Sequence, residues 1–273
     1  MSTLSVPGAT LYYETHGSGP VLLIIPGGPT DAGIFTALAA QLSDSYTVVP
    51  YDPRGNSRSV PDDPTLDQDM DVHGDDAAAL ITALGDRPAY VLGSSGGAQI
   101  GLNLAARHPD KVRVLVAHEP PCVPLLPEPE AAEGLAGMAD VVADYEKQGV
   151  EAGMKRFEQV IGMEGQQQEP PKTPPTPEEM ATWGRIGGNV EFFLAHGVKP
   201  ISGYVPDVAA LRDGATSVVV GIGADTPNHQ IAYRSAKSLA GRLGSAPVVF
   251  PGDHGGFASH PAEFAETLRK VFA

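Results

Sequence analysis

The run Val21-Leu22-Leu23-Ile24-Ile25 is apolar at every position, and this lack of alternation restricts the fold more than any other feature. A strand with one wet face alternates apolar and polar residues. A strand with no polar position is covered on both faces, as in a parallel sheet sandwiched between helices. The surrounding chain repeats the unit. Residues 10–15 alternate and predict a strand after the Pro7-Gly8 turn, residues 31–42 follow a helical period, and residues 46–50 predict a strand. Residues 71–84 predict a helix ending at Gly85; strand 89–92, helix 95–107 and strand 112–117 follow. Strands separated by helices imply crossover connections and a mainly parallel sheet.

After Glu119-Pro120-Pro121 the texture changes. Up to Tyr204 the sequence carries helical patterns at 130–148, 150–161 and 177–195, with no convincing strand, and a polar, proline-rich stretch at 166–175 that reads as a mobile loop or linker. The strand–helix order resumes with strand 217–221, helix 229–243, strand 247–250 and helix 261–272. The expected fold is therefore α/β: a doubly wound, mainly parallel β-sheet flanked by helices, with an inserted helical cap. Its core domain comprises residues 1–119 and 205–273, and the cap residues 120–204. A length of 273 residues suits one such domain with an insertion.

Charge and composition narrow the function classes. With 18 Lys+Arg against 33 Asp+Glu, the formal net charge is −15 and no basic cluster stands out, which argues against nucleic acid or an acidic membrane surface as partner. Apolar runs are strand-sized, far short of the roughly 20 residues that span a bilayer, and residues 1–8 lack the pattern of a secretion signal. A soluble, cytoplasmic protein is expected, with oligomeric state left open and a homodimer among the allowed forms. Cys122 is the sole cysteine, so there is no intramolecular disulfide and no thiolate metal cage. The histidines outside the motifs below show no ligand-like spacing, and neither metal nor cofactor is expected.

The chemistry concentrates at Gly93-Ser94-Ser95-Gly96-Gly97. Ser95 lies between Gly93 and Gly97 at G-x-S-x-G spacing, directly after a strand and directly before a helix, where the corner residue is strained and its side chain pushed outward. Gly96 places its N–H at the helix N-terminus, where an anion is stabilised. Ser94 is the rival serine, but Leu92 occupies its minus-two position. A serine hydroxyl is a weak nucleophile, so it needs a base, and the base needs an acid to orient it. Asp225, just beyond the strand at 217–221, and His254, in Gly252-Asp253-His254-Gly255 beyond the last strand, supply candidates at strand ends, where ligands of open α/β sheets collect. The order Ser95, Asp225, His254 is that of a nucleophile-elbow hydrolase.

Together with Gly223-Ala224-Asp225-Thr226-Pro227, these motifs resemble the α/β-hydrolase fold superfamily, serine-nucleophile branch, over nearly the whole chain apart from the cap. The segment Asp52-Pro53-Arg54-Gly55-Asn56-Ser57-Arg58-Ser59 is similar to the family's D-x-R-G-x-G-x-S turn, with Ser57 in place of the second glycine; Asp52 and Arg54 are expected to hold that turn. The resemblance implies an oxyanion hole formed by the N–H groups of Gly96 and Gly28. Gly28 lies in Pro26-Gly27-Gly28-Pro29, where relatives often carry His-Gly-x-Pro and this chain has Pro26 for the histidine. Some members of the superfamily place their acid where Glu119 stands, which makes Glu119 the competitor of Asp225. Asp225 is preferred for its Gly-Ala-Asp-Thr-Pro setting. His118 and, in the cap, Trp183 are candidates for the pocket.

A serine nucleophile favours a carbonyl substrate, whether carboxylic ester, lactone or thioester, through an acyl-enzyme on Ser95. The apolar cap residues suggest a small-molecule substrate with a hydrophobic part. The alternatives are a tailoring cyclase or lyase, a cofactor-free perhydrolase, or a small-molecule receptor without turnover.

Overall fold

In the computed structural model, which describes residues 2–165 and 174–273, nine strands form two sheets. Strands β1 (Ser2–Val6), β2 (Ala9–Tyr13), β3 (Val21–Ile25), β4 (Thr47–Pro50) and β5 (Val60–Pro61) precede the elbow, with α1 (Thr36–Leu42) and α2 (Met70–Ala83) between them or just after. The elbow joins β6 (Ala89–Ser94) to α3 (Gly96–Arg107), and β7 (Val112–His118) follows. Then come α4 (Glu130–Gln148), α5 (Val150–Ile161), α6 (Pro177–Phe192), α7 (Val198–Gly203) and α8 (Val208–Asp213). The chain ends with β8 (Ser217–Gly223), α9 (Ile231–Arg242), β9 (Val248–Phe250), α10 (Gly256–Ser259) and α11 (Pro261–Phe272).

The main sheet has six strands in the order β4-β3-β6-β7-β8-β9, all paired in parallel. The smaller sheet, β1-β2-β5, is antiparallel. Successive side chains of a strand face opposite sides, and β3 divides accordingly: Leu23 and Ile25 enter one buried apolar cluster, Leu22 and Ile24 the other. Both clusters are apolar, which is why Val21 to Ile25 carries no polar residue. Strand β6 is buried along its whole length, and the strands on either side of it place their C-terminal ends at the same edge of the sheet. That edge carries the site.

Between β7 and β8 the described residues form helices only. They build a third apolar cluster of their own, around Val123, Met138, Val141, Phe193 and Leu194. Helix α6 starts where the sequence provides a start signal. Pro177 occupies its first turn, the Thr176 hydroxyl accepts from Glu179 N (3.2 Å), and the Glu179 carboxylate accepts from Thr176 N (2.7 Å). A π-helical turn, Phe193–Gly197, continues α6, so the expected helix 177–195 is divided at Phe192. Residues 166–173 of the expected proline-rich linker lie outside the described residues. No helix of the described residues is long and apolar enough to cross a membrane.

Candidate active site

Ser95 stands at the corner between β6 and α3 with φ 56° and ψ −126°, a region that costs a non-glycine residue on the order of 1–3 kcal/mol. The turn is held from below by the Ser95 N–H, which donates to His118 O at the end of β7 (2.9 Å). Close approach explains the small neighbours. A Cβ on Gly97 would collide with the carbonyl oxygens of Ile25 and Pro26, and one on Gly27 would lie 2.7 Å from both Gly96 N and Ser95 Cβ and closer still to Ser94 O. The loop after β3 is thereby pressed directly against the elbow.

His254 sits on the loop after β9, and its Nδ1 is 2.6 Å from Glu119 Oε2. Glu119 follows β7 with φ 47° and is fully buried. Its other oxygen accepts from Gly223 N at the end of β8 (2.8 Å), and its own N–H donates to Gly221 O (3.0 Å). Burial pushes the Glu119 carboxyl up, but the hydrogen bond and charge of His254, with lesser help from His118 and Gly223 N–H, outweigh burial and bring it down to about 2. The carboxylate is therefore ionised at neutral pH and fixes the imidazole with Nδ1 carrying the proton and Nε2 uncommitted. No hydrogen bond joins Ser95 Oγ to His254 among the described residues, although both line one cavity; such contacts commonly tighten only when substrate is bound.

This corrects the expected acid. Asp225 is exposed and lies in a turn whose backbone bonds, Asp225 N to Gly252 O (2.9 Å) and Thr226 N to Gly223 O (3.4 Å), direct its side chain to solvent. Glu119 occupies the place next to His254 instead. β7 adjoins the elbow strand β6, and the loop after β9 reaches over the end of β8, where Asp225 N donates to Gly252 O, to set His254 against Glu119.

His118, the residue before Glu119, is buried against Phe250 and Phe264, at ring-centroid distances of 5.6 and 5.3 Å. Burial pulls it down to about 4, so it stays neutral, and its Nδ1 is 3.5 Å from Ser94 Oγ. It supports the site from beneath and does not line the cavity. Trp183 is corrected more fully: it is 51% exposed and also absent from the lining. Of the other apolar residues between β7 and β8, Met138, Met163 and Phe193 face the cavity, whereas Met180 is exposed.

Gly28 and Gly96 both border the cavity beside Ser95, with Gly28 N 3.3 Å from the position a Gly96 Cβ would take. Gly96 N heads α3 and lacks an intrahelical acceptor, as the first N–H groups of any helix do. The two donors thus lie together at one wall. As expected, Asp52 holds the Asp52–Ser59 turn, accepting from Arg58 N (3.0 Å), but Arg54 does not. Asp52 accepts from Ala32 N (3.0 Å) and from the Arg58 guanidinium (2.8 and 2.9 Å), while Arg54 turns away to pair with Asp76 (2.7 and 2.9 Å).

The cavity measures about 250 Å³. Its roof comes from the helices between β7 and β8, with Met138, Phe157, Phe193, Val198 and Ile201, and its floor from Ser95, His254 and the loop after β3. Among the described lining residues there is no Lys, Arg, Asp or Glu. A nucleophile candidate, an oriented imidazole and two candidate backbone donors thus lie at one end of a largely apolar chamber, an arrangement suited to acyl transfer.

Comparison with known proteins agrees with this architecture. The family model described as alpha/beta hydrolase fold matches residues 20–147. The uncharacterized hydrolase YraK of Bacillus subtilis (strain 168) is 36% identical over 272 residues, 98% of this chain and 94% of the relative. The 2-(acetamidomethylene)succinate hydrolase of Mesorhizobium japonicum is 36% identical over 108 residues, 40% of this chain and 38% of that protein. An esterase structure from Exiguobacterium antarcticum superposes with a TM-score of 0.75 at 19% identity, covering 97% of this chain and 96% of that one, a likeness of fold.

Proposed function

Because the chain belongs to the α/β-hydrolase fold family of enzymes, we propose that it is a serine hydrolase of uncharged carboxylic esters or lactones with an apolar acyl part. The observation that carries this reading is the hydrogen bond from His254 to a buried, ionised Glu119 at the floor of the cavity that Ser95 enters.

His254 Nε2 takes the Ser95 proton as Oγ attacks the carbonyl carbon. The oxygen that gains negative charge accepts from Gly28 N–H and Gly96 N–H, donors already in place before the charge develops. The imidazolium, its Nδ1–H held by Glu119, then protonates the departing alkoxide, leaving an acyl group on Ser95. A water deprotonated by the same Nε2 attacks the acyl carbon, and collapse of the second tetrahedral species restores Ser95 and releases the acid. Residues 120–204 act as the cap over a core of residues 1–119 and 205–273, and the apolar roof they supply excludes bulk water and seats the acyl chain.

The absence of charge on the substrate follows from the lining. The substrate named for the Mesorhizobium relative is a succinate, with two carboxylates. A carboxylate in the chamber of this chain would meet no described cation and would bear a desolvation cost of several kcal/mol. The test is labelling of the purified protein with a fluorophosphonate, with Ser95→Ala as control. Labelling that is lost in the variant supports the reading; equal labelling of both proteins refutes Ser95 as nucleophile.

A further inference from the structure

Four consecutive carbonyls in the loop after β3 are each held by a defined donor. Gly27 O accepts from Thr30 Oγ1 (2.5 Å) and Thr30 N (3.2 Å). Gly28 O and Thr30 O both accept from Asn56 Nδ2, at 2.8 Å each. Pro29 O accepts from Asn189 Nδ2 at 2.8 Å. In a trans peptide the N–H points opposite to the carbonyl of the same plane, so fixing the Gly27 carbonyl toward Thr30 fixes the Gly28 N–H in the opposite direction. The next two planes are then locked by amides from elsewhere: Asn56 belongs to the Asp52–Ser59 turn and is 1% exposed, and Asn189 belongs to α6 and is 6% exposed.

Asn189 does more than reach the loop. Its Nδ2 also donates to Ser57 Oγ (2.8 Å), and its Oδ1 accepts from Ser57 N (2.7 Å). One amide from the helical segment therefore ties together the turn that carries Asn56 and the loop that carries Gly28. One turn of helix away, Arg185 pairs with the buried Asp31 at 2.6 Å, just after the same loop. Relatives that carry histidine where this chain has Pro26 can brace the loop from that position; a proline ring offers no donor.

We propose that Asn56 and Asn189 are positioning residues that aim the Gly28 N–H into the cavity, so that the seating of α6 on the core sets the geometry of the oxyanion site. The inference rests on the serine-hydrolase reading above. Neither side chain touches substrate. When α6 is seated, Pro29 is held and the donor points at the carbonyl oxygen; when α6 lifts, Pro29 O and Ser57 lose their shared partner, and the Gly27–Thr30 turn that fixes the Gly28 N–H loses its outside support.

The experiment uses the full chain and three variants, Asn189→Ala, Asn189→Asp and Asn56→Ala, with p-nitrophenyl butyrate as substrate. A trifluoromethyl ketone serves as inhibitor, because its adduct on a serine carries an oxyanion. Loss of one oxyanion donor outright costs about 100- to 1000-fold in kcat; a donor left in place but released should cost roughly 10- to 100-fold. For Asn189→Ala the expected result is that fall in kcat, KM within about twofold, and ketone affinity weakened by the same factor as kcat/KM. Asn189→Asp keeps the acceptor for Ser57 N but has no donor for Pro29 O, and is expected to match Asn189→Ala. Because Asn56 is the more deeply buried of the two, Asn189 carries the test if Asn56→Ala fails to fold. Wild-type kcat in Asn189→Asp, or ketone affinity that stays constant while kcat falls, overturns the proposal. Wild-type protein that neither turns over the ester nor takes a fluorophosphonate overturns the underlying serine-hydrolase reading instead, and is seen before any variant is made.

Discussion

Exchange of Glu119 for glutamine isolates what the buried carboxylate does for His254. The carboxylate faces two donors, Gly223 N–H at 2.8 Å and His254 Nδ1–H at 2.6 Å, and accepts from both. A carboxamide of nearly the same shape has one oxygen and one NH2 group. Gly223 N–H is a fixed backbone donor that cannot change its role, so the glutamine oxygen stays with it and the NH2 group faces the imidazole. His254 Nδ1 must then become an acceptor, and the ring proton moves to Nε2, the atom that has to receive the Ser95 proton. The base is present but in the wrong tautomer.

Where an orienting aspartate of a Ser-His-Asp protease was replaced by asparagine, the same logic cost about 10⁴ in kcat. Glu119→Gln is accordingly expected to lower kcat by roughly 10³ to 10⁴, equivalent to about 4–5.5 kcal/mol at 1.36 kcal/mol per decade. Stability should suffer much less: the imidazole is free to remain neutral, no charge is stranded, and one mispaired hydrogen bond is worth about 1–3 kcal/mol. The assay is steady-state hydrolysis of p-nitrophenyl butyrate beside thermal denaturation, with Asp225→Asn as the comparison. Asp225 is solvent-exposed, and its variant is expected to retain activity within about twofold, as surface changes usually leave a protein nearly unperturbed. A Glu119→Gln enzyme within tenfold of wild type, or an Asp225→Asn enzyme that is dead, would refute the assignment of the acid.

Gly27→Ala places a methyl 2.7 Å from Gly96 N and Ser95 Cβ; it should separate the loop from the elbow, lowering the melting temperature through an overpacking cost of about 1–3 kcal/mol and lowering kcat, and an unchanged melting curve with full activity would contradict the packing. His73 is fully buried with neither ring nitrogen paired among the described residues, and burial pulls it down to about 4 from an ordinary 6.5. The unfolded chain therefore binds a proton that the folded chain refuses, and stability is lost as pH falls from 6.5 toward 4. His73→Leu should raise the melting temperature relative to wild type more at pH 5 than at pH 8; an equal shift at both values would rule out this titration as the cause. For the substrate, p-nitrophenyl butyrate should exceed the p-nitrophenyl monoester of succinic acid at least about 100-fold in kcat/KM, because a buried carboxylate without a counter-charge costs several kcal/mol; comparable values would mean that a cation reaches the chamber.

The sheet and most helices could be read from the sequence because their signals are local. A run without polar positions, as at Val21 to Ile25, has one comfortable environment; the helices Glu130–Gln148, Val150–Ile161 and Pro177–Phe192 carry their period within themselves, and the last also has a capping box at its start. The corner at Ser95 was legible for the same reason, since strand, glycines and helix adjoin in the chain. The acid was not. Asp225 and Glu119 both follow parallel strands, and sheet order alone would favour Asp225, whose strand β8 neighbours β9; the choice depends on how the loop after β9 folds across the end of β8 to place His254 on Glu119. One sequence signal did favour Glu119. It follows the apolar run 114–117 with only His118 between, and precedes two prolines, so it sits at the end of a buried strand, whereas Asp225 lies among the turn residues Gly223, Ala224, Thr226 and Pro227.

The amides behind the oxyanion loop were less legible still, and for a related reason. Asn56 occupies a variable place in a turn that looked structural, and Asn189 lies 160 residues from the carbonyl it holds. No spacing rule connects them. What connects them is the accounting that backbone carbonyls outside regular ladders impose: the loop after β3 packs Gly27 against the elbow and belongs to no strand or helix, and its half-buried carbonyls at residues 28–30 take side-chain donors. Pro26 has no donor to supply, and the donors come from the Asp52–Ser59 turn and from α6. The close approach that brings Gly28 N–H beside Gly96 is thus the same constraint that makes the loop depend on the helical segment. A hydrolase built this way gains its full set of donors only with its roof in place.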